Sequence, residues 1–346
     1  MTALLWAGAI SFSVAIFGMP ILIRWLASRG IGQPIRADGP QAHIKKSGTP
    51  TMGGIMIVIA AVSGYMIPHF VTDAVPFSRG GQLVLLAFVG AGAVGLADDW
   101  IKVTRQRSLG LNKRAKIIGL LAVAVSFSVL AVKYANVKMI IGFTRYSSPG
   151  WRVPAFVWVV FAVFIILATT NGVNLTDGLD GLAGGSSMFG FVAYTVMAFW
   201  MFRHLNHYQV PQALDIAVFA AAMVGSCAGF LWWNAAPARI FMGDVGALAI
   251  GAAFGGIAII TYTPLLLPII GALFVMETLS VIIQVFTFRL MGGKRLFRMA
   301  PIHHHFELGG WPETTVIIRF WIIVMIAVSF GLGIFYADFL SSGGID

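Results

Sequence analysis

The chain has 346 residues, 58% of them apolar and only 10% charged, with a mean hydropathy of +0.88. A soluble domain carries about 25% charged residues, so a water-soluble globule is excluded; a single cysteine excludes an intrachain disulfide scaffold, and the aliphatic and aromatic content excludes disorder. What remains is an all-α, polytopic integral membrane protein, in which the placement of 23 Lys/Arg and 13 Asp/Glu says more than the net charge of +10.

A bilayer-spanning helix needs about 20 mostly apolar residues. Ten segments qualify, at 3–23, 53–70, 80–97, 117–134, 154–170, 183–202, 213–233, 245–262, 265–288 and 320–340. Arg24 and Arg29 follow the first and no cation precedes it, which is the wrong charge order for a cleaved signal peptide and places the N-terminus outside. The inner segments are then 24–51, 98–116, 171–182, 234–244 and 289–319, and they hold 17 of the 23 cations. Arg79, Lys133, Lys138, Arg145, Arg152 and Arg203 lie outside. The positive-inside rule therefore predicts ten transmembrane helices with both termini on the outer, periplasmic side. Residues 1–346 read as one membrane domain, and the apolar runs are too long for barrel strands.

Trp6, Trp25, Trp151, Trp232, Trp233 and Trp311 fall near span ends, as in an interfacial aromatic belt. The small-residue pairs Gly181/Gly185, Gly225/Gly229 and Gly251/Gly255 allow close helix contact. In a ten-helix bundle they read as internal packing and are weak ground for a homodimer. Cys227 and the 15 methionines read as core residues.

The acids are scarce and asymmetric. Asp38, Asp98, Asp99, Asp177, Asp180, Asp244, Glu307 and Glu313 fall in or beside inner segments, as short polar islands. In Ala97-Asp98-Asp99-Trp100-Ile101-Lys102, a helix end alone explains one aspartate; two beside a span favour function. Adjacent side chains on a helix point about 100° apart, so the two aspartates should differ in role, and Lys102 shares the face of Asp98. In the run 170–182, a continued helix would align Asn174, Asp177 and Gly181, with Asp180 three residues beyond Asp177. Its oxygen ligands, amides and glycines suit Mg²⁺, ribose hydroxyls or a base edge. Asp244 opens a helix, where its plain role is an N-terminal cap, and Phe241 beside it offers a stacking face. His303, His304 and His305 follow Lys294, Arg295 and Arg298; this is poor zinc spacing and fits phosphate or sugar contact better. Lys45, Lys46, Lys113, Arg114 and Lys116 add inner cations, most of which topology alone accounts for.

Acids, amides, histidines and cations on one membrane face suit a metal-bound polyphosphate with an apolar partner, and the cations need no nucleic acid to explain them. Metal and cations neutralise charge in phosphoryl transfer while the protein aligns the reactants. A lipid phosphate would place its head at the interface and its tail between helices. Walker A and dinucleotide fingerprints are missing from the sequence.

The segments KKSGTPTMGG, ADDWIKV, NGVNLTDGLDGLAGG, FMGDVGALAIG and MAPIHHHFELGGWPE, in order and nearly end to end, resemble the MraY family of phospho-N-acetylmuramoyl-pentapeptide-transferases, within the polyprenyl-phosphate sugar-1-phosphate transferases. The resemblance implies Mg²⁺-dependent transfer of phospho-MurNAc-pentapeptide from UDP-MurNAc-pentapeptide to undecaprenyl phosphate, giving lipid I and UMP. It implies the same topology, in the bacterial cytoplasmic (inner) membrane, with the active site facing the cytoplasm. Carried over by motif, Asp98, Asp99 and Asp244 are the central acids. Asp244 is the foremost metal ligand, with Asp98 and Asp99 as further candidates, and Asp98 is the base on the lipid phosphate. Lys102 and Lys116 serve the phosphates. Gly178, Leu179, Asp180 and Phe241 form the uridine pocket, with Asn174 and Asp177 beside it. Lys46, Thr51, Gln284, Ala300, His303, His304 and His305 line the nucleotide-sugar groove.

Two alternatives follow from the same sequence. A sister transferase would use another UDP-HexNAc; the three-histidine motif argues against it. A secondary transporter would put ionisable groups near the midplane, often with inverted repeats. Here only Glu277 lies clearly within a span, where the plain reading is a buried carboxyl bonded to neighbouring helices.

Overall fold

The computed structural model describes residues 1–32, 48–71, 75–105 and 110–343. Lys46, placed by motif in the nucleotide-sugar groove, lies outside the described residues, as do Asp38 and Lys45. Among the described residues, ten helices are long and apolar enough to cross a membrane. They are α1 (Thr2–Ser28), α2 (Gly54–Val71), α3 (Arg79–Thr104), α4 (Lys113–Lys133), α5 (Ala155–Thr176), α6 (Leu182–Arg203), α8 (Ala213–Asn234), α9 (Gly243–Ile260), α11 (Ala272–Leu290) and α13 (Glu313–Ser341). Short helices α7 (Leu205–Tyr208), α10 (Leu267–Ile270) and α12 (Ile302–Glu307) fill connections, and β1 (Ile140–Ile141) pairs antiparallel with β2 (Trp151–Arg152) between α4 and α5.

The expected spans match these helices in number and order, but several helices outrun them. α3 continues through Asp98 and Asp99 to Thr104, and α5 through Asn174 to Thr176. Hydropathy marks the lipid-immersed stretch, whereas the backbone hydrogen bonds continue past it, so polar side chains project from helical turns beyond the apolar run. The ninth span, expected at 265–288, is instead two helices that meet at Gly271.

α9 is the centre: 89% of its apolar window is buried, against 22% for α11 and 28% for α1, α4 and α13. It packs between α3 and α5, and glycines make that possible. Gly95 of α3 abuts the Asp244–Val245 backbone, and Gly251 abuts the backbone at Thr169–Thr170. Gly225 and Gly229 of α8 likewise seat against α1, and Gly185 against Trp321. The small-residue pairs are thus used within the chain, and Cys227 is buried in the core. Of the six tryptophans expected in an aromatic belt, Trp6, Trp25, Trp151 and Trp232 are exposed, whereas half-buried Trp233 donates to Ile16 O at 3.0 Å and half-buried Trp311 stacks on Phe306.

At the end of the bundle opposite the acid-rich islands, Asp215 of α8 ties the chain together. It accepts from Tyr65 Oη at 3.1 Å, His69 Nε2 at 2.9 Å and Ser78 N at 2.7 Å. A buried carboxylate needs such partners, because leaving water uncompensated costs several kcal/mol.

Candidate active site

The polar islands converge at one end of the bundle, where α3 and α5 end and α4 and α9 begin. One turn apart on α3, Asp98 and Lys102 form the i,i+4 pair expected from their spacing, with Lys102 Nζ 2.6 Å from Asp98 Oδ2. The same ammonium lies 3.0 Å from Asp99 Oδ1 and 2.7 Å from Asp244 Oδ2. From the first turn of α4, Lys116 Nζ reaches Asp244 Oδ2 at 2.7 Å and Asp98 Oδ2 at 3.8 Å. Three carboxyl groups thus face two ammonium groups in a largely buried setting.

The backbone distinguishes the two adjacent aspartates, as their angular separation requires. Asp98 Oδ1 accepts from Leu111 N at 2.8 Å, ahead of α4. Asp99 Oδ2 accepts from Val245 N at 3.1 Å, at the N-terminus of α9. That second bond depends on Gly243, whose φ of +74° suits a residue without a side chain and whose space borders Asp99 Oδ2. Ligand oxygens of Asp98, Asp99 and Asp244 lie within 4.8 Å of one another. This hard, all-oxygen donor set fits a divalent cation such as Mg²⁺.

The 170–182 run departs from the expectation of one helical face. The helix stops at Thr176, and Gly181 adopts φ +82°, so Asn174, Asp177 and Gly181 do not align. Two glycines in five residues favour a turn over a continued helix, and the turn is clamped from other segments. Asp180 Oδ2 accepts from Ala238 N at 2.9 Å, and Asp180 N donates to Glu313 Oε1 at 3.0 Å. Gly181 N donates to Asn234 Oδ1 at 2.8 Å, while Asn234 Nδ2 donates to Ile240 O at 2.8 Å. Asn234 and Glu313 were missed as site residues, although Asn234 opens the polar island 234–246 and Glu313 is one of the inner acids. Half-buried Asp177 caps α5 beside Gly243. Burial, and after it the charges of Asp244, Asp99 and Asp180, push its carboxyl up to about 7, against the pull of the Gly243 N–H. Asn174 is half-buried on the last turn of α5, and Leu179 is buried within the turn.

The segment before α2 pairs with the one before α9. Phe241 N donates to Pro50 O, Gly53 N to Phe241 O and Gly54 N to Met242 O, each at 2.8 Å. Buried Thr51 and half-buried Phe241 are thereby set side by side next to the aspartates.

The three histidines of α12 face three ways, as consecutive helical residues must. His303 is fully buried between Glu277 and Gly178. His304 Nδ1 sits 2.7 Å from Glu307 Oε2, and His305 Nδ1 accepts from Arg298 N at 3.1 Å. Gln284 exchanges two hydrogen bonds with the Phe297 backbone, at 2.9 and 3.0 Å, which fixes the chain leading to Ala300 and α12. Glu277 is indeed a buried carboxyl, but its facing group comes from α12 rather than from a neighbouring spanning helix.

Comparison with known proteins agrees with this arrangement. Residues 82–262 match the family described as glycosyl transferase family 4, and residues 46–58 match phospho-N-acetylmuramoyl-pentapeptide-transferase signature 1. The chain is 51% identical to the phospho-N-acetylmuramoyl-pentapeptide-transferase of Frankia casuarinae, over 99% of this chain and 100% of that one. The enzyme of the same description from Streptomyces coelicolor is 49% identical, covering 97% of this chain and 98% of its own. That from Cutibacterium acnes is 48% identical over 99% of each. Full-length similarity at this level, joined to the matched signature, shows that the chain belongs to the phospho-N-acetylmuramoyl-pentapeptide-transferase family.

Proposed function

We propose that the chain transfers phospho-MurNAc-pentapeptide from UDP-MurNAc-pentapeptide to undecaprenyl phosphate, giving lipid I and UMP, as one domain at the cytoplasmic face of the bacterial inner membrane. The convergence of Asp98, Asp99 and Asp244 on Lys102 and Lys116, at the end of the bundle where a lipid headgroup and a water-soluble nucleotide meet, carries this reading. Both termini are assigned to the opposite side by the distribution of cations.

Asp98, Asp99 and Asp244 would hold Mg²⁺, with Asp244 foremost; when bound, the ion neutralises charge on the diphosphate. Lys102 and Lys116 orient the phosphoryl oxygens of donor and acceptor. Asp98, fixed by Leu111 N–H, aligns the lipid phosphate and accepts its remaining proton. A phosphate oxygen of the lipid attacks the β-phosphorus of the donor and forms the new P–O bond. The bond from that phosphorus to the bridging oxygen breaks, and its electron pair leaves with UMP. Direct attack is preferred to an aspartyl-phosphate because a phosphate is already an adequate nucleophile and chiefly needs alignment and neutralisation. The 178–180 turn and Phe241 receive the uridine. Asn174, Asp177, Lys46, Thr51, Gln284, Ala300 and the three histidines line the remainder of the donor site.

The test is UMP release by purified protein. Release that requires both undecaprenyl phosphate and Mg²⁺, and prefers UDP-MurNAc-pentapeptide to UDP-GlcNAc, is expected. Preference for UDP-GlcNAc would assign a sister activity, and substrate accumulation in proteoliposomes without UMP would point to transport.

A further inference from the structure

Glu277 takes no part in the chemistry above, yet its side chain is fully buried on a helix that buries few of its residues. α11 buries Leu273, Phe274, Glu277 and Ser280, a single stripe with a carboxylate at its centre. Such a group is costly to bury without a partner. The group facing it is the His303 imidazole of α12, whose Nδ1 lies 3.1 Å from Glu277 Oε1, with neither side chain exposed.

The other edge of the ring meets the active-site turn. Neither ring nitrogen of His303 and neither carboxyl oxygen of Glu277 has a hydrogen-bond partner among the described residues; the two groups meet as a close contact, and Nε2 is aimed at Gly178. A Cβ added at Gly178 would come within 2.8 Å of His303 Cε1 and closer still to Nε2. The ring therefore fills the place a side chain would take. At its far end the turn is held by Ala238 N and Glu313 on Asp180, and by Asn234 on Gly181. At the Gly178 end this imidazole packs against the turn from α12.

We propose that Glu277 is a positioning residue: it sets the His303 ring as a wedge against Gly178, and so places the 178–180 turn for the nucleotide portion of the donor. A carboxyl group 3.1 Å from Nδ1 restricts the rotation of the ring by contact. This rests on the reading of the chain as a UDP-sugar transferase.

The experiment is steady-state UMP release by the full-length protein, varying UDP-MurNAc-pentapeptide, for wild type, E277L, E277D, E277Q, H303N and E277L/H303N. Loss of orientation without loss of reacting groups is expected to raise KM about 10-fold in E277L and H303N, with kcat changed less than about 3-fold. The double variant should be no worse than the poorer single one, because both act through one contact. Unchanged KM in a folded E277L, or losses that multiply in the double variant, overturns the proposal. Should E277L not fold, E277D and E277Q decide. Aspartate keeps the charge but draws it back by one carbon, whereas glutamine keeps the reach, so KM should rise more in E277D. The reverse order overturns the proposal by making charge, not placement, the operative property. Absence of UMP release by wild type would instead strike the transferase reading itself.

Discussion

Lys102 on α3 and Asp244 on α9, 142 positions apart in the chain, are joined by a 2.7 Å ion pair. The same ammonium touches Asp98 and Asp99, so one lysine balances carboxylates from two helices that pack together through Gly95. Removing it leaves three facing carboxyl groups with Lys116 as the remaining cation of the cluster among the described residues. K102M is therefore expected to melt at lower temperature than wild type in EDTA, and to gain more than wild type from added Mg²⁺. Thermal-unfolding curves with and without the ion check this; equal Mg²⁺ gains would separate Lys102 from the cation site.

Asp98 and Asp99 should differ under substitution. Asn at 98 retains an oxygen to accept from Leu111 N–H, so the local fold should persist while the charge is lost. D98N is expected to bind UDP-MurNAc-pentapeptide within about 3-fold of wild type, while UMP release falls by roughly 10²–10³, the cost of losing one aligned electrostatic group. Calorimetric binding and turnover measured on one preparation suffice, and full turnover by D98N would remove Asp98 from the chemistry.

Asp177 gives a pH dependence with a definite sign. Its carboxyl is raised from the ordinary 3.8 to about 7, so between those values the folded state binds the proton more tightly than the unfolded chain. Stability contributed by this group therefore falls as pH rises through that window. In the presence of chelator, D177N should match wild type at pH 4 and melt at higher temperature at pH 8. A wild-type protein that is the more stable at pH 8 would contradict the crowding of Asp177 by its acidic neighbours.

Much of this site could be read from the sequence because its residues are local exceptions to an apolar background. Asp98 and Asp99 sit beside a span, where an unpaired acid is costly, and Lys102 is one turn away. The cross-links were not legible. Val245 N–H reaches Asp99, Asn234 holds Gly181, and Glu313 holds Asp180 over separations of 146, 53 and 133 residues. Hydropathy carries no record of which helix ends meet. The single-face reading of 174, 177 and 181 failed for a different reason: periodicity assumes a continued helix, and Gly178 and Gly181 favour the turn. Glu277 was visible as an exception, but its partner on α12 was not.

Gly243, the first residue of α9, tests whether the backbone geometry there serves the chemistry or only the fold. Its φ of +74° puts an L-residue in the left-handed region, at a cost of order 1–3 kcal/mol. A methyl group there would also press on Asp99 Oδ2, the atom that accepts from Val245 N–H. Backbone strain alone would lower the melting temperature by a few degrees and leave the turnover of folded protein unchanged. Displacement of Asp99 adds a second effect, because a small misplacement of an aligned group costs up to about 10²-fold in rate. G243A is therefore expected to lose at least 10-fold in kcat at a temperature well below its melting point, while binding of UDP-MurNAc-pentapeptide changes less than 3-fold. Turnover equal to wild type in folded G243A would mean that the Asp99–Val245 bond holds α3 to α9 without setting the geometry of the reaction.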